Sequence, residues 1–233
     1  MISRAEELQC RQALLDARTD FFDINGNPTE ESIIYDRNAE NTMATGDLTG
    51  ATWSTVATAR PLDDMDKGRR ISQKHSGEVV DIAVFGETAW KDFQNTQQVK
   101  DRWSPMAFMG QDPFILQMQA DGAVFRGEIN GFKLFTYDEW YRDDIQTGGD
   151  LVPFIPATKV LLACSKAKTM KLYGAVDYIP EDYTGQAVRQ LFAAPRVSDS
   201  WTRKDPDIRK LRVQSCPLMA MRQPNAYVVM TVQ

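Results

Sequence analysis

Apolar residues recur along this chain at two periods, one helical and one alternating, and the pattern predicts strands that outnumber helices. In residues 3–18, Ala5, Leu8, Gln12 and Leu15 share one helical face, with Ser3 and Glu6 spaced as a capping box. Residues 21–24 and 33–35 predict two strands around the turn Asn25-Gly26-Asn27-Pro28, and residues 42–45 extend the pattern. Trp53 lies in a Gly/Thr-rich connection and reads as a boundary. Pro61 opens a second helix, with Asp63, Asp64 and Asp66 in its first turns and Arg69, Arg70, Lys74 and His75 toward its end, as the helix dipole favours. Gly77 stops it. Residues 79–85 predict a strand and residues 87–94 a helix carrying Trp90 and Phe93.

The second half is strand-rich. Residues 114–119 and 123–129 predict a hairpin through Asp121-Gly122, and Asn130-Gly131 turns the chain into a strand over 132–141. Residues 142–152, with Gly148-Gly149, predict a loop. Strands are predicted at 159–164 and 172–179, and a short helix at 184–192. Asp205-Pro206 marks a turn before a strand beginning at Lys210, and Pro217 marks an edge or bulge. Gln223-Pro224-Asn225 reverses the chain into the apolar run 227–232, which predicts a buried strand. The fold class is α+β.

Composition narrows the function by exclusion. The 233 residues carry a net charge of −5, unlike a dedicated nucleic-acid binder with its basic footprint. Cys10, Cys164 and Cys216 are widely spaced, and His75 is the one histidine, which argues against a disulfide framework or a Cys/His zinc site. A reducing compartment is the default for such cysteine usage. The opening Met1-Ile2-Ser3-Arg4-Ala5-Glu6-Glu7 is polar, unlike a signal peptide, and no apolar run approaches the length of a membrane span.

Candidate chemistry is sparse. No Gly-x-x-x-x-Gly-Lys-Ser/Thr, Gly-x-Gly-x-x-Gly or Gly-x-Ser-x-Gly occurs. Asp63, Asp64 and Asp66 form an acidic cluster that a helix N-terminus explains without a metal. Asp138-Glu139 and Asp143-Asp144 flank Trp140-Tyr141, a pairing that glycosidases use, but a solvated loop accounts for it. His75 sits in the last turn of a helix, where a cation is favoured. Trp90, Phe93, Trp103, Phe108 and Phe114 read as core or subunit contact, and Trp201 as a structural residue beside the Asp205-Pro206 turn. No catalytic, cofactor-binding or metal-ligating residue is therefore expected, and no cofactor.

The ordered motifs carry a family resemblance. Trp201 before Asp205-Pro206, then Gln214-Ser215-Cys216-Pro217-Leu218, Pro224-Asn225-Ala226 and the final Val-rich strand resemble the C-terminal signature of the lambda-like phage major capsid proteins, the capsid protein E family. Gln12-Ala13-Leu14-Leu15, Trp53-Ser54 with Pro61-Leu62-Asp63-Asp64, Val84-Phe85-Gly86 with Ala89-Trp90, and Phe135-Thr136-Tyr137 follow the family's order. So do Ile155-Pro156, Lys159-Val160-Leu161-Leu162 and Lys171-Leu172-Tyr173-Gly174.

The resemblance implies the Hong-Kong-ninety-seven-type capsid fold, with residues 1–58 peripheral, 59–194 axial and 195–233 peripheral. It implies a non-enzymatic shell protein of a phage or prophage that self-associates into hexamers and pentamers around packaged DNA. Decoration, scaffold and portal proteins would be further partners. No membrane partner is implied; the location would be the virion capsid, with assembly in the host bacterial cytoplasm. Because the chain starts inside what resembles the family's spine helix, the N-terminal arm and extended loop are expected to be absent. A chain without them is expected to stay a monomer or small oligomer. The rival reading is a carbohydrate-binding or carbohydrate-active protein using Trp103, Trp140 and Tyr141; a nearer rival is another phage head or tail protein.

Overall fold

The computed structural model describes residues 2–22, 28–108, 117–118, 122–143, 149–178, 190–204 and 207–233. Helix α1 (Ile2–Arg11) continues as a π-helical turn over Gln12–Asp16 and stops at Ala17, which takes a left-handed φ of 51°. The helix therefore ends short of the predicted residue 18. Arg37 explains the stop: its guanidinium donates to the carbonyls of Leu14 and Leu15, both at 2.6 Å, satisfying acceptors that a continuing helix would have used. Strands β1 (Arg18–Phe22) and β2 (Pro28–Ile34) pair antiparallel, while the Asn25-Gly26 turn lies outside the described residues. The two-residue strand β3 (Thr42–Met43) follows.

Helix α2 (Pro61–Ser76) has the predicted limits, with Pro61 at its first turn and Gly77 in the left-handed region after its last. It is followed by β4 (Ile82–Phe85), α3 (Glu87–Asn95) and α4 (Gln97–Phe108). Next come β5 (Gln117–Met118), β6 (Ala123–Ile129), β7 (Phe132–Tyr137), β8 (Trp140–Asp143), β9 (Asp150–Pro153) and β10 (Lys159–Ala163). The strand predicted over 132–141 is thus two, and the predicted 142–152 loop closes in β9. Beyond residue 168 come β11 (Thr169–Tyr173), β12 (Ala175–Tyr178), β13 (Gln190–Ala193), β14 (Val197–Lys204), β15 (Asp207–Gln214) and β16 (Pro217–Met221). The chain ends in β17 (Tyr227–Thr231). Residues 190–192, predicted helical, are strand because they pair with β12; residues 184–189 lie outside the described residues.

The chain forms two compact units, residues 11–168 with 221–233, and residues 1–10 with 169–220. These borders differ from those expected at 58/59 and 194/195. The larger unit holds a seven-stranded mixed sheet in the order β3-β17-β10-β4-β7-β6-β5. β17 enters it between β10 and β3, far from any C-terminal neighbour in sequence. The ladders place Met43, Met230, Val228, Val160, Leu162, Phe85, Ala83, Leu134, Thr136 and Phe132 on one face, and every one is almost completely buried. β10 and β17 are buried on both faces, which is why their sequences read as continuous apolar runs. Asn130 and Gly131, at φ 50° and 74°, make the tight turn between β6 and β7 that their sequence predicts.

Helix α2 lies over this face at Gly68. A Cβ added there would stand 2.6 Å from Leu162 Cδ1, so a larger residue would have to push the Leu162 side chain aside for the helix to keep this approach. Trp53, expected to mark a boundary, is instead fully buried against Phe85 and Phe93, at centroid separations of 6.3 and 5.8 Å. Its indole N–H donates to Asp64 Oδ2 at 2.9 Å, and the Thr49 N–H donates to Asp64 Oδ1 at 2.5 Å. A buried indole donor needs such an acceptor.

The smaller unit consists of α1 and paired strands: β11 with β16, β12 with β13, and β14 with β15. The last pair is a hairpin in unbroken register from Val197↔Gln214 to Lys204↔Asp207. Pro217, where the sequence predicts an edge or bulge, opens β16, whose only partner among the described residues is β11.

The Trp53–Asp64 bond generates a stability test. Asp64→Asn keeps the shape but turns one acceptor into an amide donor, leaving the indole or the Thr49 N–H facing a donor. Urea unfolding is expected to show a loss of about 1–3 kcal/mol, against little change for Asp63→Asn, whose side chain is half-exposed; equal effects would contradict the account.

Candidate assembly surfaces

The acidic residues of α2 do not converge. Asp64 is buried beneath Trp53, whereas Asp63 lies 3.6 Å from Arg60 and Asp66 lies 3.4 Å from Arg69. Among the described residues no group of three or more His, Cys, Asp or Glu side chains is placed to hold a metal ion. At the other end of α2, Glu40 reaches across from a single 3-10 turn. Its carboxylate lies 2.8 Å from Lys74 Nζ and 2.9 Å from His75 Nε2. Hydrogen bonding from Lys74, then from His75, holds the Glu40 carboxyl down to about 2 from its ordinary 4.5. His75 is thus tied into a surface ion-pair network that pins the Ala39–Asn41 turn to the helix end.

The aromatic residues divide. Trp90 and Phe93 pack with Phe85 in the core, at 5.3 and 5.0 Å between centroids. Trp103 and Phe108 belong to α4, but their side chains, with that of Trp201 in β14, lie outside the described residues, as does Phe114 entirely. Tyr141 packs on Phe154 at 4.9 Å, with the Arg11 guanidinium 5.8 Å from its ring centre. Trp140, one residue earlier in the same strand, points the opposite way and is 47% exposed.

Trp140 lines a groove of about 320 Å³ together with Glu87, Tyr137, Asp138, Pro153 and Ile155. The parallel pairing of β4 with β7 builds it. Phe85 lies opposite Thr136 at the end of this ladder, and Glu87, opening α3, and Asp138 both follow just beyond it and line the groove. Sequence reading weighed Asp138 and Trp140 but missed Glu87, because only the register joins them. The carboxyls of Asp143 and Asp144 lie outside the described residues.

The smaller unit carries a different kind of surface. Among the described residues, seven of the twelve large apolar side chains left exposed lie within residues 169–220, under a quarter of the chain. Leu191 is 67% exposed and Leu211 78%. Exposed apolar side chains are thus concentrated in the strand pairs of the smaller unit. Leu211 and Val213 stand on one face of the hairpin, opposite Ser200 and Ser198. No helix among the described residues is long and apolar enough to cross a membrane.

The chain is a mixed α+β protein with a buried central sheet and exposed apolar strands. It is similar to a candidate capsid protein of an Escherichia coli CFT073 prophage, with a TM-score of 0.75 and 15% identity over the whole of this chain and 63% of that one. A family model of phage major capsid protein E matches residues 1–232, and the chain belongs to that family. Lower similarity extends to a phage-related protein from Bordetella bronchiseptica RB50 (TM-score 0.48, 10% identity, 98% of this chain and 61% of that one). It extends also to an encapsulin complex from Synechococcus elongatus PCC 7942 (TM-score 0.45, 12% identity, 99% of this chain and 62% of that one). The chain spans less than two thirds of the length of each. Among curated proteins none matches its sequence.

The Glu40 network sets a pH dependence. A carboxylate depressed in the folded state contributes stability above about 4.5 that is lost as pH falls toward about 2. NMR titration is expected to place the Glu40 midpoint near 2 and to raise it in Lys74→Gln. Glu40→Gln should flatten the acid limb of stability over that window; an ordinary Glu40 midpoint would contradict the network.

Proposed function

We propose that this chain is a coat subunit of a phage or prophage head, a structural protein whose activity is repeated self-association into the shell that encloses DNA. The observation that carries this reading is the match of the capsid protein E family across residues 1–232. The shared fold with the prophage capsid candidate supports it. In this proposal the fold is of the Hong-Kong-ninety-seven type. The central-sheet unit serves as the axial lobe, and residues 169–220 belong to the peripheral lobe. The role is structural and not catalytic: the chain's exposed chemistry is apolar strand faces and ion pairs, the materials of subunit contact. Capsomers of identical copies, with scaffold, portal and decoration proteins around them, are the implied partners, and the virion head is the implied location, after assembly in the host cytoplasm.

The test is quantitative mass spectrometry of purified particles induced from the host, with heads and tails separated. Peptides of this chain are expected in heads at the highest copy of any head protein. Their confinement to tails would favour the tail-protein rival, and their absence from particles would overturn the reading.

A further inference from the structure

The groove beside Trp140 and the Arg209 face of β15 carry opposite charges, an acid at one and a cation at the other. In β8 and β9, Trp140 pairs with Pro153 and Arg142 with Leu151, so these four share the outward face of the hairpin. Leu151 is 65% exposed, leaving an apolar strip of Trp140, Pro153 and Leu151 with Arg142 at its far end. At the near end the groove holds Glu87 and Asp138. Glu87 is already engaged by Lys91 at 2.6 Å and sits at the N-terminus of α3, whose dipole it balances. Asp138 is exposed, and Lys91 acts on it only at a distance, so it supplies the groove's unbalanced negative charge. An exposed indole beside a carboxylate is a site for a cation, held by the ring face and by the acid together. The volume lies at the lower end of ligand pockets, roughly 300–1,000 Å³, and suits one or two side chains better than a long chain segment.

The matching surface is β15. In a chain of net charge −5, this strand carries three cations, but alternation puts Lys210 and Arg212 on the face opposite Arg209, and the one acid, Asp207, falls on the Arg209 face. Alternation puts Arg209, Leu211 and Val213 on one face, a cation followed by two exposed aliphatics. Among the described residues, Arg209 makes one long contact, 3.3 Å, with the Ser200 hydroxyl. Its guanidinium is therefore available while Arg212 is drawn to Asp199 at 3.1 Å.

We propose that the acidic groove at Trp140 receives Arg209 of a second copy of this chain, with Leu211 and Val213 of that copy covering Pro153 and Leu151. The contact joins two different patches, so it is head-to-tail, the kind that propagates or closes a ring rather than ending at a dimer. It rests on the self-association proposed above and names one of its contacts. A neutral glycan would use the indole but leave Asp138 and the aliphatic strip without a role.

The test uses the full chain carrying Arg209→Lys, which keeps the charge and supplies an amine. Light and heavy isotope-labelled preparations are mixed, concentrated and treated with a zero-length carbodiimide, and cross-linked peptides are read by mass spectrometry. Mixed-label links from position 209 to Asp138 or Glu87 are expected, with a yield that falls several-fold in added Trp140→Ala and at high salt. Circular dichroism on each variant checks that the fold is kept. Mixed-label links elsewhere, without this one, would overturn the docking site while leaving self-association standing. Links of a single label only would overturn both. Saturable binding of a neutral oligosaccharide to the wild-type chain, lost in Trp140→Ala, would reassign the groove to glycans and also overturn the proposal.

Discussion

The burial of β10 and β17 on both faces is the constraint on which the larger unit depends. Val160, Leu161 and Leu162 pair with Met230, Val229 and Val228 across the middle of the sheet, and all six are shielded from water. At roughly 25 cal/mol per Å² of apolar surface, such burial dominates the favourable side of folding. It requires a cover, and α2 supplies it, with Gly68 letting the helix close against Leu162. The cover in turn requires its own edge to be sealed. Trp53 does this beside Phe85 and Phe93, and Asp64 satisfies the indole that the seal would otherwise strand. At the opposite end of α2, Asn41 donates to the carbonyls of Asn225 and Tyr227, at 2.8 and 3.0 Å, tying the turn before β3 to the start of β17.

Much of this was legible where local chemistry decides the outcome. The limits of α2 follow from Pro61, the early aspartates and Gly77; the β6–β7 turn follows from Asn130-Gly131; β17 follows from an apolar run too short for a helix. Elements that depend on distant partners were not legible. The π-turn before Ala17 is set by Arg37, twenty residues on. Helix α4 was missed because Val99 is the one buried apolar residue in its polar first turns, which gives no periodicity. Trp53 read as a connection because nothing nearby reveals that Asp64 and Phe85 wait for it. Pairing of Gln190–Ala193 with β12 overrode a helical pattern. The groove at Trp140 was half visible: its tryptophan and aspartate are neighbours in sequence, but Glu87 joins them only through the parallel register of β4 and β7.

The two units divide the physical tasks. One spends its apolar residues on a closed core, with charged helix ends turned to water. The other keeps apolar side chains on strand faces, where they raise the cost of remaining alone in water. The proposed coat role needs both properties, a fold that holds its shape and surfaces that do not saturate within it. Hydrogen exchange measured at rising protein concentration separates them most directly. Amides of β4, β10 and β17 are expected to be protected at every concentration. Protection should rise with concentration in β15 and around Trp140. Concentration-dependent protection in the central strands, or none in β15, would contradict the division of core from contact surface.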